Sequence, residues 1–316
     1  MPLYTSIPID LPEYHNQTKR IEPTHEQFLS LFDEAKPSTI IKIYRFITFI
    51  VFMFPIKIIF MLFGIVYFSL TIQILGHIAP YIKNKSRFRN VSFYITWPGV
   101  RSALLGAGIV WISRTGTLRP NTRTMVSNHL SISDCIVLMT QFPLCILAMK
   151  GLASSSFIQA ITHVFELIFV DRTQFGCHIS HEIVKTQEDK SHLPLMIFPE
   201  GKITNGTGLV GFRSGAFVSD EQVQAVAIRY NMWLTTRDMA TIAWLEPNMK
   251  LFIYQLLAIP FTTVNVDVLE PLDLREEKLT PKQKAEKVEL QMANFFGCPA
   301  YRKTNKSIFK GKITVN

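Results

Sequence analysis

From Phe46 to Ile82 the chain is apolar on every side. The segment reads FITFIVFMF, then Pro55-Ile56-Lys57, then IIFMLFGIVYFSLTIQILGHIAPYI, and Lys57 is its one charged residue. A surface helix of a water-soluble domain keeps a polar face, and this stretch has none, so the pattern predicts a membrane element. The run after Lys57 exceeds the roughly 20 residues that cross a bilayer, whereas the arm before Pro55 is too short. Proline cannot donate to a helical ladder, so Pro55 beside Lys57 predicts the turn of a membrane-inserted helical hairpin. Lys36, Lys42 and Arg45 precede the segment, and Lys83, Lys85, Arg87 and Arg89 follow it. Basic flanks on both sides place both ends of such a hairpin in the cytosol, and a single span is the alternative.

A weaker apolar stretch, VSFYITWPGVRSALLGAGIVWI, comes next. It predicts an amphipathic helix at a membrane surface, running into a first strand near Gly108 to Arg114. Beyond it, the short runs TMVS, ELIFV, PLMIF, VQAVAI and VNVDVL alternate with helical patterns around Ser133–Gln141, Leu152–His163 and His178–Glu188. That alternation predicts an α/β domain, a mixed sheet flanked by helices. The chain therefore divides into a polar tail (1–38), a membrane segment (39–90), the α/β domain (91–280) and a charged helix with a basic tail (281–316). The tail's five prolines and lack of apolar period predict an irregular or partly helical segment without chemistry.

The 316 residues carry a formal net charge of +9. That balance suits an anionic lipid surface. No recognition helix, zinc finger or aromatic-basic signature accompanies it, so nucleic acid is not expected as a partner. Cys135, Cys145, Cys177 and Cys298 are widely spaced and form no metal-ligand or disulfide pattern. The first twenty residues lack a basic region followed by an apolar one, so no cleavable signal peptide is expected.

Candidate chemistry sits where apolar strands end. Ser127-Asn128-His129-Leu130-Ser131-Ile132-Ser133-Asp134 follows the strand TMV and precedes a helix. A histidine there, with a carboxylate five residues on, makes a base held by an orienting acid, as acyl transfer requires. The bland reading is a helix cap by Ser131 or Ser133 beside an incidental histidine. Phe198-Pro199-Glu200-Gly201-Lys202-Ile203-Thr204-Asn205-Gly206 follows PLMIF and offers amides and a carboxylate at a strand end, or an ordinary glycine turn. Ile168-Phe169-Val170-Asp171-Arg172 ends in a guanidinium suited to a phosphate or to a surface ion pair.

Together, in this order, the motifs resemble the glycerolipid acyltransferase family: H-x-x-x-x-D at His129 and Asp134, F-x-x-R at Phe169 and Arg172, and F-P-E-G at Phe198 to Gly201. The stretch FPEGKITNGTGLVGFRSGAF is most similar to the lysophosphatidylcholine acyltransferases and to the related ancient ubiquitous protein. The resemblance implies an acyl-CoA-dependent O-acyltransferase in phospholipid synthesis. His129 is the general base and Asp134 its orienter, and Phe169, Arg172, Glu200, Gly201, Lys202, Thr204 and Asn205 form the substrate site. It implies acyl-CoA and a lysophospholipid or glycerol-phosphate-type acceptor as partners, beside the bilayer, and neither cofactor nor metal. It implies residence at the endoplasmic reticulum or a lipid droplet with the domain facing the cytosol. The alternative is a non-catalytic membrane scaffold on the same fold. Glu166, Lys202 and Ala225 depart from the family pattern.

Overall fold

The structure, a computed structural model, describes residues 4–5, 10–33, 37–149, 151, 153–154, 156–170, 177–233, 242–245, 248–272, 274 and 278–305. Its centre is an eight-stranded mixed sheet. The strands are β1 (Tyr4–Thr5), β2 (Ile109–Thr115), β3 (Thr122–Ser127), β4 (Cys145–Met149), β5 (Glu166–Val170), β6 (Leu195–Ile197), β7 (Gln222–Trp233) and β8 (Phe261–Val268), in the order β2-β8-β7-β3-β6-β4-β5 with β1 on the far end of β7. The run β7-β3-β6-β4-β5 is parallel throughout, and β8 turns the direction by pairing antiparallel with β7. Parallel strands covered on both faces are apolar without alternation, which is why ELIFV and VQAVAI read as continuous runs. Met125, Val126, Leu195, Val226 and Ile228 are wholly buried.

The helices are α1 (His25–Ser30), α2 (Thr39–Thr48), α3 (Ile58–Ile78), α4 (Lys85–Gly106), α5 (Ser133–Gln141), α6 (Ser156–Val164), α7 (Cys177–Glu188), α8 (Met249–Ala258) and α9 (Pro281–Phe296). The expected fold class is found, with β4 added. The expected turn at Pro55 is not. Phe49–Lys57 is wound as a π-helix that joins α2 to α3 without reversal, a wide winding in which the missing proline N–H breaks no α-helical ladder. Lys57 is buried, and its ammonium donates to the carbonyls of Leu257 and Ile259 at the end of α8. It caps a helix where a solvated turn was expected.

A hairpin exists one helix later, between α3 and α4, and its turn holds Pro80. Small residues set its approach. Gly64 lies against the backbone of Gly99 and Ala103, and Gly106 against that of Met61, the close packing typical of helices in lipid. α4 also runs across the expected boundary between membrane segment and domain at 90.

α3 is long and apolar enough to cross a membrane, yet both of its ends are tied to the sheet domain. Phe68 packs on Phe157 and Phe165, and Ile72 and Leu75 pack on Val164 and Phe165. Arg89, just past the turn, pairs with buried Glu166 at the start of β5. Residues before the hairpin also meet residues after it: Arg20 donates to Glu286 of α9 at 2.8 Å, and Asn205 donates to the carbonyl of Ser30 at 2.6 Å. The residues before α2 and those after α4 are therefore packed together in one body.

The tail expected to be irregular or partly helical holds α1 and is packed between residues 10 and 33. Thr24 and Gln27 cap α1 reciprocally, and Phe28 and Leu31 are buried against Val210 and Tyr301. The end of the chain after α9 is likewise packed, with Cys298 and Ala300 in the main core.

Gly64→Ala tests the hairpin, because its Cβ would come 2.4 Å from the backbone nitrogen of Ala103. Overpacking of that kind costs about 1–3 kcal/mol. Thermal unfolding in detergent should show a lower Tm for Gly64→Ala and none for Gly151→Ala, whose Cβ would meet nothing within 4 Å.

Candidate functional site

β3 and β6 are parallel neighbours, with Val126 opposite Ile197. Their carboxyl ends therefore deliver His129 and Phe198 side by side. The two rings stack at 4.2 Å with 14° between their planes. Asn128 fixes the departure of the chain from β3: its side chain donates to the Ile228 carbonyl at 3.0 Å and accepts from the Ile228 amide at 2.8 Å. An asparagine here pairs with β7 as a strand residue would.

His129 Nδ1 lies 2.9 Å from Asp134 Oδ2. The same oxygen accepts the amides of Leu130 at 2.7 Å and Ser131 at 2.8 Å, and Asp134 Oδ1 accepts the Tyr230 hydroxyl at 2.6 Å. Asp134 is wholly buried in the first turn of α5, where a carboxylate also meets the positive end of the helix. An ionised Asp134 only accepts, so Nδ1 carries the proton and Nε2 is the basic nitrogen. The His129 side chain is 21% exposed, enough to meet a substrate. The expected serine cap of α5 is not formed: the helix starts after Ile132 without a side-chain cap, and Asp134 engages both the turn and the ring.

Glu200 supports the same loop from β6. It has no exposed surface, and its carboxyl accepts the His129 amide at 2.8 Å and the Val210 amide at 3.3 Å. The Thr204 amide donates to the His129 carbonyl at 3.1 Å. His129 is thus held at N–H, C=O and Nδ1.

An acyltransferase family model matches residues 118–229, which contain all of these groups except Tyr230, one residue beyond. A lysophospholipid acyltransferase of Arabidopsis thaliana is 31% identical over 141 residues, 43% of this chain and 26% of that protein. The lysophosphatidylcholine acyltransferase 2 of Danio rerio is 33% identical over 140 residues, 42% of this chain and 26% of that protein. The crystal structure of the 1-acyl-sn-glycerophosphate acyltransferase of Thermotoga maritima superposes with a TM-score of 0.56 at 14% identity, over 81% of this chain and 97% of that one. Over residues 118–229 the chain matches the acyltransferase family model, and in this part it is similar to glycerolipid acyltransferases. The match spans about a quarter of the length of the two relatives in sequence.

Within this acyltransferase domain the remaining expected site residues fall in different places. Phe169 is half-buried near the carboxyl end of β5, on the sheet edge that carries His129. It lies three strands from β3, about 14 Å at the usual spacing. Arg172 lies outside the described residues. Gly201 has φ +67, and a Cβ there would meet the Arg213 guanidinium at 2.9 Å. That turn requires glycine. Lys202 is exposed and sits 4.6 Å over the ring of Phe32. Thr204 is buried and its hydroxyl lacks a hydrogen-bond partner among the described residues. Asn205 faces away from His129. It holds the end of α1, through the carbonyls of Ser30 and Asp33 and through its own amide to Leu31. Ala225 is buried in β7 opposite Val126.

Sequence reasoning missed Tyr230, Asn128, Val210 and the whole segment 10–33. Tyr230 stands in the quoted run VQAVAIRY, and its position at the end of an apolar strand was the available signal.

Burial pushes the Glu200 carboxyl up to about 8 from an ordinary 4.5, helped by Asp134 and opposed by its two amide donors. A carboxyl that keeps its proton when folded and loses it when unfolded makes stability fall as pH rises between those values. The slope reaches about 1.4 kcal/mol per pH unit at most. Glu200→Gln cannot titrate. Between pH 5 and 8 the Tm of the wild-type protein should therefore drop relative to that of Glu200→Gln, and parallel curves would show that Glu200 ionises normally.

Proposed function

We propose that this protein transfers a fatty acyl group from acyl-CoA to the hydroxyl of a lysophospholipid or glycerol-phosphate-type acceptor at a membrane surface. The observation that carries the reading is the His129–Asp134 pair at the end of β3, with Nδ1 engaged and Nε2 left for a substrate proton. Nε2 takes the proton from the acceptor hydroxyl as its oxygen attacks the thioester carbonyl. The tetrahedral intermediate expels coenzyme A as a thiolate, which takes the proton from the imidazolium. Asp134 stays ionised through both steps and stabilises the imidazolium.

Direct transfer fits the thiols better than an acyl-enzyme does. Burial pushes Cys135 and Cys145 up to about 12 and Cys298 higher still, so at neutral pH none of these three is a nucleophile. Glu200 acts by holding the His129 loop through backbone amides, and Asn205 by holding the end of α1. Phosphate recognition is assigned to Arg172 by the family pattern, with Lys202 as a further cation on the same edge.

The membrane reading rests on exposed apolar surface. Ile40, Ile43 and Phe46 of α2, Ile59, Leu62, Val66 and Leu70 of α3, Val91 and Tyr94 of α4, and Leu251 and Ile253 of α8 all face outward. α3 is tied to the domain at both ends, so the hairpin lies in one leaflet, as amphipathic anchors do. We place it on the cytosolic face of the endoplasmic reticulum or of a lipid droplet.

Removal of a positioned base typically costs about a hundred- to ten-thousand-fold in rate. Acyl transfer from radiolabelled acyl-CoA to a panel of lysophospholipids should fall by that factor in His129→Ala and by less in Asp134→Asn. In Arg172→Ala the KM for the acceptor should rise more than that for acyl-CoA. Full activity in His129→Ala, or no transfer by the wild-type protein with any acceptor, rejects the catalytic reading in favour of the scaffold.

A further inference from the structure

Three of the four hydrogen bonds to Asp134 end on one oxygen. Oδ2 accepts from His129, Leu130 and Ser131, and Oδ1 accepts from Tyr230. The first three donors come from the loop that carries the histidine. The fourth comes from β7, a separate strand about 100 residues further along the chain: 96 residues separate Tyr230 from Asp134.

Tyr230 has no exposed surface and heads the largest fully buried side chains of the protein. Its hydroxyl is a donor in this pair, because an ionised carboxylate offers only lone pairs. Burial and the charge of Asp134 hold the phenol well above its ordinary range, so it keeps its proton at every working pH. At 2.6 Å the contact is in the short range of charge-assisted hydrogen bonds.

Without that hydroxyl, Oδ1 would lose this donor deep in the core. A carboxylate so placed lowers its energy by rotating about its Cβ–Cγ bond toward other donors. Rotation moves Oδ2 off the axis of the His129 Nδ1–H bond, and the ring loses its fixed tautomer and direction.

We propose that Tyr230 is a positioning residue for acyl transfer, which locks the Asp134 carboxylate so that Oδ2 faces His129. The proposal rests on the assignment of His129 as the base. Tyr230 meets no substrate, since it has no surface, and it acts through Asp134.

The test uses the full chain in lipid–detergent micelles and the variant Tyr230→Phe, which removes one oxygen atom and keeps the ring. Its kcat should fall about tenfold, the equivalent of one hydrogen bond, while KM for acyl-CoA and acceptor stays unchanged. In the Asp134→Asn background the same substitution should change kcat less than twofold, as expected for residues acting through one another. In protein labelled with 15N-histidine, the downfield Nδ1–H proton resonance of His129 should be sharp in the wild-type protein and broadened in Tyr230→Phe.

Thr124→Val is the structural control. It removes a buried hydroxyl from β3 that accepts from Gln187 at 2.7 Å, away from the histidine loop. It should lower Tm and leave the resonance and kcat alone. If Tyr230→Phe behaves as Thr124→Val does, or raises KM at constant kcat, or costs as much in the Asp134→Asn background, the positioning role is overturned. The resonance is read without substrate. A wild-type protein that transfers no acyl group would therefore refute the acyltransferase reading, and the resonance would still decide whether Tyr230 orients the pair.

Discussion

Everything at the site depends on a buried carboxylate that is fully saturated with donors. Asp134 is tolerated in the core because two amides, a ring nitrogen and a phenol replace the water it lost. The same bonds bend the chain after β3 into a turn, start α5, and aim the imidazole. The geometry of the His129–Asp134 pair and the local fold are one set of interactions, so a substitution at Asp134 disturbs both.

Glu200 supplies the complementary hold from the neighbouring strand. Because β3 and β6 run parallel and adjacent, their two exit loops meet at the carboxyl edge of the sheet, where an open α/β fold leaves a crevice. The H-x-x-x-x-D loop gives its amide to Glu200, and the F-P-E-G loop gives an amide back to the His129 carbonyl. Phe198 closes one face of the ring by stacking. Two motifs about seventy residues apart in sequence thus form one unit, with Glu200 71 positions beyond its bonded partner His129.

Elements with a strong local pattern were legible in the sequence. The parallel strands announced themselves as apolar runs, and His129 and Asp134 stood out because chemistry-bearing residues followed a strand end. β4, Cys145–Met149, was passed over because CILAM offers no polar boundary of its own. The hairpin was expected at the wrong proline, since Pro55 and Pro80 look alike in sequence and only packing distinguishes them. Glycines 64, 99 and 106 select α3 and α4 as partners by permitting backbone contact, a signal that becomes readable once both helices are known. Tyr230 and the segment 10–33 were hidden because their partners are distant: Asn205 lies 175 residues beyond Ser30.

That last separation bears on the order in which the molecule is made. Residues 10–33 are made well before their partners, Asn205, Glu286, Glu289 and Tyr301. Contacts so far apart along the chain form slowly and only once those partners have been made. The apolar hairpin, built from neighbours in sequence, is complete long before. The hairpin is therefore formed before residues 10–33 have their partners, and that segment docks on Asn205 and α9 afterwards.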